Sequence, residues 1–390
     1  MPWKKVNVME ERARFIMEFS SGRDSFTSIC RKYGISRETG YKWVQRFKES
    51  GSIEEHSRAP RTCPHKTPEE TVRLLLSLRE ENPYWGPKKL VKILSDEYMI
   101  DVPPAPSTAG EILKKHGLIP ESRKRRRQSA GRLRRHELSN PTTINDVWSV
   151  DYKGWFRLGD RSVCHPFTVS DIFSRYVLAC TCFPRQTLEG TKEAMKVVFG
   201  EYGLPLVIRM DNGTPFGSTG LGGLTQLSLW WIRLGIAVDF IEPGKPEQNG
   251  CHERMHRSLK LEATIPPERN IVEQQKRLDI WRRRFNEKRP HEALGQITPG
   301  SIYRASERRL PLKEPDFRYP AYFESRSVRG DGIFHWCGGQ VFVGEAYAKC
   351  RIGLIRNYDG RWLVYAGEHL IGGILAEEPK HVVPVEKLLR

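Results

Sequence analysis

The sequence lacks the patterns of small secreted, zinc-stabilised and membrane-spanning proteins. Its eight cysteines lie at irregular spacings and include no Cys-x-x-Cys pair, which argues against a disulfide framework and against the common zinc modules. No apolar run approaches the roughly 20 residues that span a bilayer. Charged residues also stand where a signal peptide would be apolar. We therefore expect a cytoplasmic protein whose cysteines are reduced.

Acidic residues are scarce relative to basic ones. The 390 residues include 47 Asp and Glu against 64 Lys and Arg, which gives a formal net charge of +17. Such an excess favours a polyanionic partner, because Lys and Arg gain affinity by displacing the counterions condensed on phosphates. The alternative is a basic protein with no such partner.

The densest basic run lies between residues 123 and 135, where eight residues are basic and none is acidic. Because its charges repel one another, this run predicts a flexible arm that follows a phosphate backbone, or a solvated linker without fixed contacts. We assign residues 121–140 to a basic linker between domains. The residues of this run expected to contact DNA are Arg123, Lys124, Arg125, Arg126, Arg127, Arg132, Arg134 and Arg135.

Residues 1–58 show a helix-turn-helix pattern. Apolar residues at helical spacing predict helices over 8–19 and 25–33, and Ser36 is a suitable N-cap for a third helix that ends near Glu49. A small three-helix bundle without DNA-binding activity would show the same turn. The third-helix residues expected to face a DNA major groove are Arg37, Tyr41 and Lys42.

A second helix-turn-helix domain is predicted over residues 64–120. Thr67 is expected to cap its first helix and Ser107 its third. The third helix would expose Lys114 and Lys115 for contact with DNA. Two recognition helices in series would lengthen the DNA site that one protomer reads.

Past residue 140 the pattern changes from helical to extended. A helix between the third and fourth predicted strands acts as a crossover, so the pattern predicts an α/β domain over 141–308 with a mixed sheet covered by helices. The strands are expected over 147–156, 167–171, 176–182, 205–210 and 236–241, and the helices over 188–199 and 250–262.

Three carboxylates stand out in this α/β region. Asp151 lies on the first strand, Asp211 at the end of the fourth and Glu253 on the second helix. Sites of α/β sheets commonly lie at strand ends, and a few carboxylates can hold Mg²⁺ ions for phosphodiester cleavage and transfer. A single Asp at a strand end is usually a turn former, so the prediction depends on all three together.

The carboxyl-terminal part changes again, to short alternating strands separated by glycine turns. This pattern predicts a small SH3-like β-barrel over residues 316–390. Its basic and aromatic residues could contact DNA or another protein.

The blocks around the three carboxylates resemble the active-site blocks of a known family. Residues 148–152 read Trp-Ser-Val-Asp-Tyr, residues 209–216 Arg-Met-Asp-Asn-Gly-Thr-Pro-Phe, and residues 246–254 Pro-Glu-Gln-Asn-Gly-Cys-His-Glu-Arg. They are similar to those of the integrase-core DDE family, the bacterial insertion-sequence transposases related to retroviral integrases. The likeness covers about 140–305 and implies a ribonuclease-H-like catalytic core.

The family's usual interval after the second aspartate would select Glu247 as the third carboxylate. We choose Glu253, because the family's Pro, Asn and Gly precede it and because the insertion at 217–224 lengthens the interval. We interpret Asp171 as structural. The resemblance also implies DNA contacts near the catalytic residues, at Asn212, Arg254, His256, Arg257 and Lys260.

The resemblance implies a Mg²⁺-dependent reaction in which Mn²⁺ can substitute. Asp151 would bridge two ions, while Asp211 and Glu253 would each complete one. The expected function is a DNA transposase that binds the inverted terminal ends of its own element, cleaves them and joins them to target DNA. It would act as a dimer or tetramer on DNA and associate with the nucleoid. The alternatives are a DNA-binding regulator derived from a transposase and a metal-dependent nuclease that does not join strands.

Overall fold

The structure, a computed structural model, describes residues 8–55, 66–119, 138–242 and 245–388. The basic run at 123–135, with its eight expected DNA contacts, lies outside these residues. The chain divides into two compact units between residues 66 and 67. None of the described helices has the length and apolar character needed to cross a membrane.

The first unit contains the three expected helices. They are α1 (Val8–Ser21), α2 (Phe26–Lys32) and α3 (Arg37–Ser50). The Ser36 hydroxyl accepts a hydrogen bond from the Thr39 N–H at 3.1 Å, so Ser36 caps α3 as predicted. Apolar side chains of all three helices form the core, among them Phe15, Ile29 and Trp43.

The second unit begins with three more helices. They are α4 (Glu69–Glu81), α5 (Pro87–Asp96) and α6 (Pro106–Lys115), packed around a core of their own. The two predicted caps are wrong: Pro68 and Ala105 occupy the N-cap positions in place of Thr67 and Ser107. Pro106 explains the second shift, because proline suits the first helical position and starts α6 one residue before Ser107.

The expected mixed sheet follows and is confirmed. Its strands are β1 (Val147–Tyr152), β2 (Phe156–Arg157), β3 (Val163–Asp171), β4 (Val177–Phe183), β5 (Val207–Met210) and β6 (Ala237–Phe240). The order is β2-β3-β1-β5-β6, with β4 also paired to β3. Strand β1 is antiparallel to β3 and parallel to β5, and β5 is parallel to β6.

Helices cover both faces of this sheet. They are α7 (Leu188–Tyr202), α8 (Gln226–Arg233), α9 (Gly250–Ala263), α10 (Ile271–Glu287) and α11 (Pro299–Ile302). Helices α7 and α8 share a buried core with Trp148 and Val150 of β1. Helices α9 and α10 pack with Cys164 of β3 and Cys180 of β4 on the other face. Because side chains alternate along a strand, Ser149 and Asp151 point away from the first core and towards α9.

The carboxyl-terminal region forms an open sheet, so the expected closed barrel is not confirmed. Strands β12-β11-β10-β7 pair in that order, while β8 and β9 form a separate hairpin. The outer edge of β12 is occupied, because the Gly373 N–H donates to the Val383 carbonyl at 3.0 Å. This bridge leaves that edge of β12 unable to pair with β7. The elements are β7 (Glu324–Ser327), β8 (Ile333–Trp336), β9 (Gly339–Phe342), β10 (Arg351–Arg356), β11 (Trp362–Ala366), β12 (His369–Ile374) and α12 (Val385–Leu388).

The carboxyl-terminal sheet packs against the α/β domain, in part through the insertion expected at 217–224. Leu224 and Leu229 of that region are buried in the core of the carboxyl-terminal sheet. The Tyr347 hydroxyl donates to the Leu221 carbonyl at 2.6 Å. The insertion is a loop that includes a short 3₁₀ turn over Leu221–Gly223, and it contacts the carboxyl-terminal region.

Candidate active site

Asp151 lies on β1 on the face covered by α9, opposite Thr168 of β3. Its side chain is 27% exposed. Burial, together with the nearby Asp211 and Glu253 carboxylates, raises the pKa of this carboxyl to about 7. Asp211 and Glu253 therefore lie near enough to Asp151 for their charges to act on its carboxyl.

Asp211 follows β5 directly, beside β1 in the sheet. Ser149 pairs with Arg209 in the parallel register, so Asp151 and Asp211 stand at corresponding positions two residues further along each strand. The Gly213 N–H donates to Asp211 Oδ1 at 3.1 Å. A Cβ atom at Gly213 would lie 3.2 Å from Asp211 Oδ2, which explains the glycine, since a side chain would crowd the carboxylate.

Glu253 is an exposed residue in the first turn of α9. The start of this helix is fixed to the sheet, because the Ser149 hydroxyl donates to Asn249 Oδ1 at 2.8 Å. Glu247 lies in a short 3₁₀ turn before the helix, over Pro246–Asn249. A helix anchored on β1 holds Glu253 beside the strand that carries Asp151.

His252 and His256 form a buried pair that we did not foresee in this position. Both Nε2 atoms contact Thr168 Oγ1, at 2.8 and 2.7 Å, while Ser170 Oγ lies 3.0 Å from His252 Nδ1. The Thr168 hydroxyl donates its single proton to the Asp151 backbone carbonyl. Both Nε2 atoms must therefore be protonated and donate to Thr168 Oγ1. The pair joins α9 to β3 beneath Asp151.

The burial of His256 corrects its expected role as a DNA contact. The residue is only 6% exposed, and its Nδ1 atom lies 3.7 Å from Asp151 Oδ2. Burial lowers the pKa of both imidazoles, to about 3 for His252, so both rings are neutral at pH 7. The i, i+4 spacing of the two histidines, opposite Thr168 and Ser170 on alternate positions of a strand, is the sequence signal for this pair.

The other expected DNA contacts that the structure describes fall into three groups. Arg254, Arg257 and Lys260 are exposed on α9, the helix of Glu253. Asn212 is also exposed, and its side-chain amide donates to the Ile241 carbonyl at 2.5 Å. The remaining expected contacts are exposed on the third helix of each helix-turn-helix pattern. The third-helix residues are Arg37, Tyr41 and Lys42 on α3, and Lys114 and Lys115 on α6.

Four family models match the chain. Two described as integrase core domain match residues 141–246 and 234–299. A helix-turn-helix domain matches 11–61 and a homeodomain-like domain 39–113. These matches, with the mixed sheet and the three-helix units, confirm the expected helix-turn-helix domains and ribonuclease-H-like core.

Two curated relatives come from bacterial insertion elements. The chain is 26% identical over 188 residues to the uncharacterized 31.7 kDa protein of insertion element IS407 of Burkholderia multivorans, covering 46% of this chain and 63% of that protein. It is 27% identical over 187 residues to the uncharacterized 39.2 kDa protein of insertion element IS476 of Xanthomonas euvesicatoria, covering 46% and 50%. The chain therefore matches about half to under two thirds of the length of these relatives.

Solved structures similar to the chain include retroviral integrase cores. The HTLV-2 integrase catalytic core domain in complex with magnesium has 17% identity and a TM-score of 0.33, with 42% of this chain and 99% of that chain covered. The catalytic core domain of BIV integrase has 20% identity and a TM-score of 0.31, with 41% and 93% covered.

Proposed function

We propose, since this chain belongs to the integrase-core family of insertion-sequence transposases, that it is a DNA transposase. It would bind the inverted terminal ends of its own element, cleave them and join them to target DNA. The observation that supports this proposal is the partly buried Asp151 carboxyl on the integrase core, whose pKa is raised by burial and by the charges of Asp211 and Glu253.

The three carboxylates suit a divalent cation. Burial and the like charges of Asp211 and Glu253 raise the pKa of Asp151 to about 7, because both disfavour its ionised form. A bound cation would offset that repulsion, and oxygen ligands are those that Mg²⁺ prefers. Both ring nitrogens of His252 are occupied by hydroxyls, so we assign metal binding to the carboxylates, with two ions per site.

Mg²⁺, when bound, would supply charge stabilisation at the scissile phosphate and lower the pKa of the attacking water or hydroxyl. The protein supplies the fixed geometry. Strand β1 holds Asp151, the segment directly after the adjacent parallel strand β5 holds Asp211, and α9 holds Glu253. The neutral pair His252 and His256 fixes α9 against β3 without adding a charge to the site.

The exposed cations on α9 would hold DNA next to the three carboxylates. Arg254, Arg257 and Lys260 share this helix with Glu253, so phosphates bound to them would lie close to the reacting bond. These three cations would position the end of the element through its phosphates, without contacts to the bases.

The helix-turn-helix domains would supply sequence recognition. Helix α3 exposes Arg37, Tyr41 and Lys42 on one surface, and Tyr41 remains 51% exposed although its ring stacks on Phe26. Lys114 and Lys115 offer a second contact surface on α6. We propose that these surfaces read the terminal repeats and that the chain acts as a dimer or tetramer on DNA, with the domain boundaries given above.

A strand-joining assay tests the proposal. Purified protein would be incubated with Mg²⁺ and a labelled duplex of the parent element's end, and nicked and joined strands would be separated on a gel. We expect wild type and Glu247→Gln to cut and join, while Asp211→Asn and Glu253→Gln bind the duplex without either reaction. The variant at Glu247 is the matched control for the choice of glutamate.

The outcomes separate the alternatives. A wild-type protein that binds the end but never cuts would favour a DNA-binding regulator, and one that cuts without joining would favour a nuclease. An inactive Glu247→Gln beside an active Glu253→Gln would show that the third carboxylate is misassigned.

A further inference from the structure

A basic cavity lies where the second helix-turn-helix domain meets the integrase core. We call it the junction pocket. It has a volume of about 240 Å³ and is lined by side chains of four separate segments. Its polar lining includes Lys89 of α5, Arg175 from the turn between β3 and β4, Arg254 of α9, Arg289 and His291 after α10, and Asp171 of β3.

Three of these cations have no acidic partner among the described residues. Lys89 donates to the Pro290 carbonyl, Arg175 donates to Cys251 Sγ at 2.6 Å, and Arg254 donates to the Gly250 carbonyl at 3.0 Å. All three acceptors are neutral, so the positive charges of the pocket are not offset by these bonds.

The acids near the pocket are already engaged. Glu262 pairs with Arg289 at 3.0 Å, and Glu292, which also lines the pocket, pairs with the exposed Lys88. Asp171 accepts hydrogen bonds from Ser174 and Asn145. Burial and the nearby Arg289 guanidinium lower the pKa of Lys89 to about 8, although the Glu292 and Glu262 carboxylates act in the opposite direction.

Two buried nitrogen atoms of the pocket residues also lack hydrogen-bond partners. They are Arg289 Nε and His291 Nε2. Leaving a buried polar atom without a hydrogen-bond partner is unfavourable. A ligand with acceptor oxygen atoms would provide the missing partners.

We propose that the junction pocket binds a phosphate group, and that in the protein–DNA complex this group is a backbone phosphodiester of the bound DNA. Guanidinium groups suit phosphate oxygens, since they present paired donors in one plane. The pocket borders Arg254, the neighbour of Glu253, so the bound phosphate would lie near the catalytic helix. The DNA source rests on the proposed function, whereas phosphate binding itself does not.

The position of the pocket gives this contact a consequence for the reaction. Lys89 belongs to the second helix-turn-helix domain, which is also held on α10 by a hydrogen bond from Arg284 to Asn82 Oδ1 at 2.6 Å and an ion pair of Lys288 with Glu97 at 3.3 Å. Arg175 and Arg254 belong to the core. One phosphate held by all three would fix the position of the DNA relative to both domains.

The test compares the full-length wild type with the double variant Lys89→Gln/Arg175→Gln. The matched control, Lys92→Gln/Lys196→Gln, removes the same charge from partly exposed lysines outside the pocket, which pair with Asp96 and Glu193. Binding to a labelled duplex of the element's end would be measured by fluorescence anisotropy over a range of salt concentrations. We expect the pocket variant to bind about tenfold more weakly than wild type. The slope of the logarithm of its binding constant against the logarithm of the salt concentration should be shallower by about one, while the control keeps the wild-type slope.

A second arm uses inorganic phosphate as the probe. Phosphate at constant ionic strength should raise the unfolding temperature of wild type and control but not of the pocket variant. The charge-conserving Arg175→Lys should keep much of both effects, and its unfolding curve shows whether substitution there is tolerated.

The two arms decide between the sources. Loss of both effects in the pocket variant supports a DNA phosphate, and loss of the phosphate effect alone identifies a free phosphate as the ligand. If the pocket variant matches the control in both arms, the proposal is overturned. If wild type binds no DNA, the transposase proposal fails, yet the phosphate arm still decides whether the pocket binds phosphate.

Discussion

Asp151 and Asp171 lie on adjacent strands of one sheet but have opposite surroundings. Asp171 is fully buried and accepts hydrogen bonds from the Ser174 N–H at 2.7 Å, the Ser174 hydroxyl at 2.5 Å and the Asn145 N–H at 2.8 Å. Asp151 has one backbone N–H donor, that of Tyr152, and faces two other carboxylates. Its nearest histidine nitrogen is 3.7 Å away, beyond hydrogen-bond distance.

The difference shows how the fold separates a structural carboxylate from a functional one. The protein supplies three donors to Asp171, so that residue joins the end of β3 to the turn after it and to the segment before β1. At Asp151 the protein supplies like charges, which leaves the carboxylate to be balanced by a cation from solution. Asparagine substitutions at the two positions should therefore have opposite effects on activity and stability.

The largest expected effect is on strand joining. Asp151→Asn should lower the rate by about a thousandfold or more, because it removes a charged oxygen from the ion-binding cluster. Asp171→Asn should lower the rate less than about threefold at temperatures where it is folded. Single-turnover joining of a labelled element end measures both rates, and equal losses in the two variants would remove the distinction.

Asp171→Asn should instead lower the free energy of unfolding by about 2 to 4 kcal/mol. The new amide NH₂ would face N–H and O–H donors, which leaves buried donors without an acceptor. Urea unfolding at neutral pH measures the change. A loss below about 1 kcal/mol would mean that the three hydrogen bonds do not hold the turn.

A smaller effect is expected on the pH dependence of stability without metal. The pKa of Asp151 is raised from 3.8 to about 7 in the folded protein, so the folded state binds the proton more tightly than the unfolded state. The resulting contribution to the free energy of unfolding is fully present below pH 4 and is lost as the pH rises to about 7. Asp151→Asn should therefore be more stable than wild type by about 1 to 3 kcal/mol at pH 8, with a smaller gap at pH 5. Urea unfolding in EDTA at both pH values measures the gap. A gap that does not change with pH would contradict the raised pKa.

Local sequence patterns predicted much of the architecture. The alternation around Asp151 and the apolar run before Asp211 predicted β1 and β5, and Ser36 predicted the start of α3, because each depends on neighbouring residues. The contacts of His252 and His256 with Thr168 and Ser170 were not predicted, since the partners lie more than 80 residues away in sequence.

The error in the predicted barrel has the same origin in distant contacts, unlike the two wrong helix caps. The expected barrel depended on strand pairing, but Val383 occupies the edge of β12 from outside the strands that the pattern identified. The junction pocket likewise joins Lys89 to residues near 175, 254 and 290. Charge in the sequence predicted a phosphate partner but could not identify which cations share one cavity.

The ion-binding assignment can be tested by the effect of Mg²⁺ on unfolding at pH 8, with wild type compared to Asp151→Asn at matched ionic strength. A ligand that binds only the folded state raises the unfolding midpoint with its concentration. We predict that Mg²⁺ raises the midpoint of wild type and leaves that of Asp151→Asn unchanged. An equal rise in both proteins, or no rise in wild type, would contradict the assignment of Asp151, Asp211 and Glu253 as the ion-binding cluster.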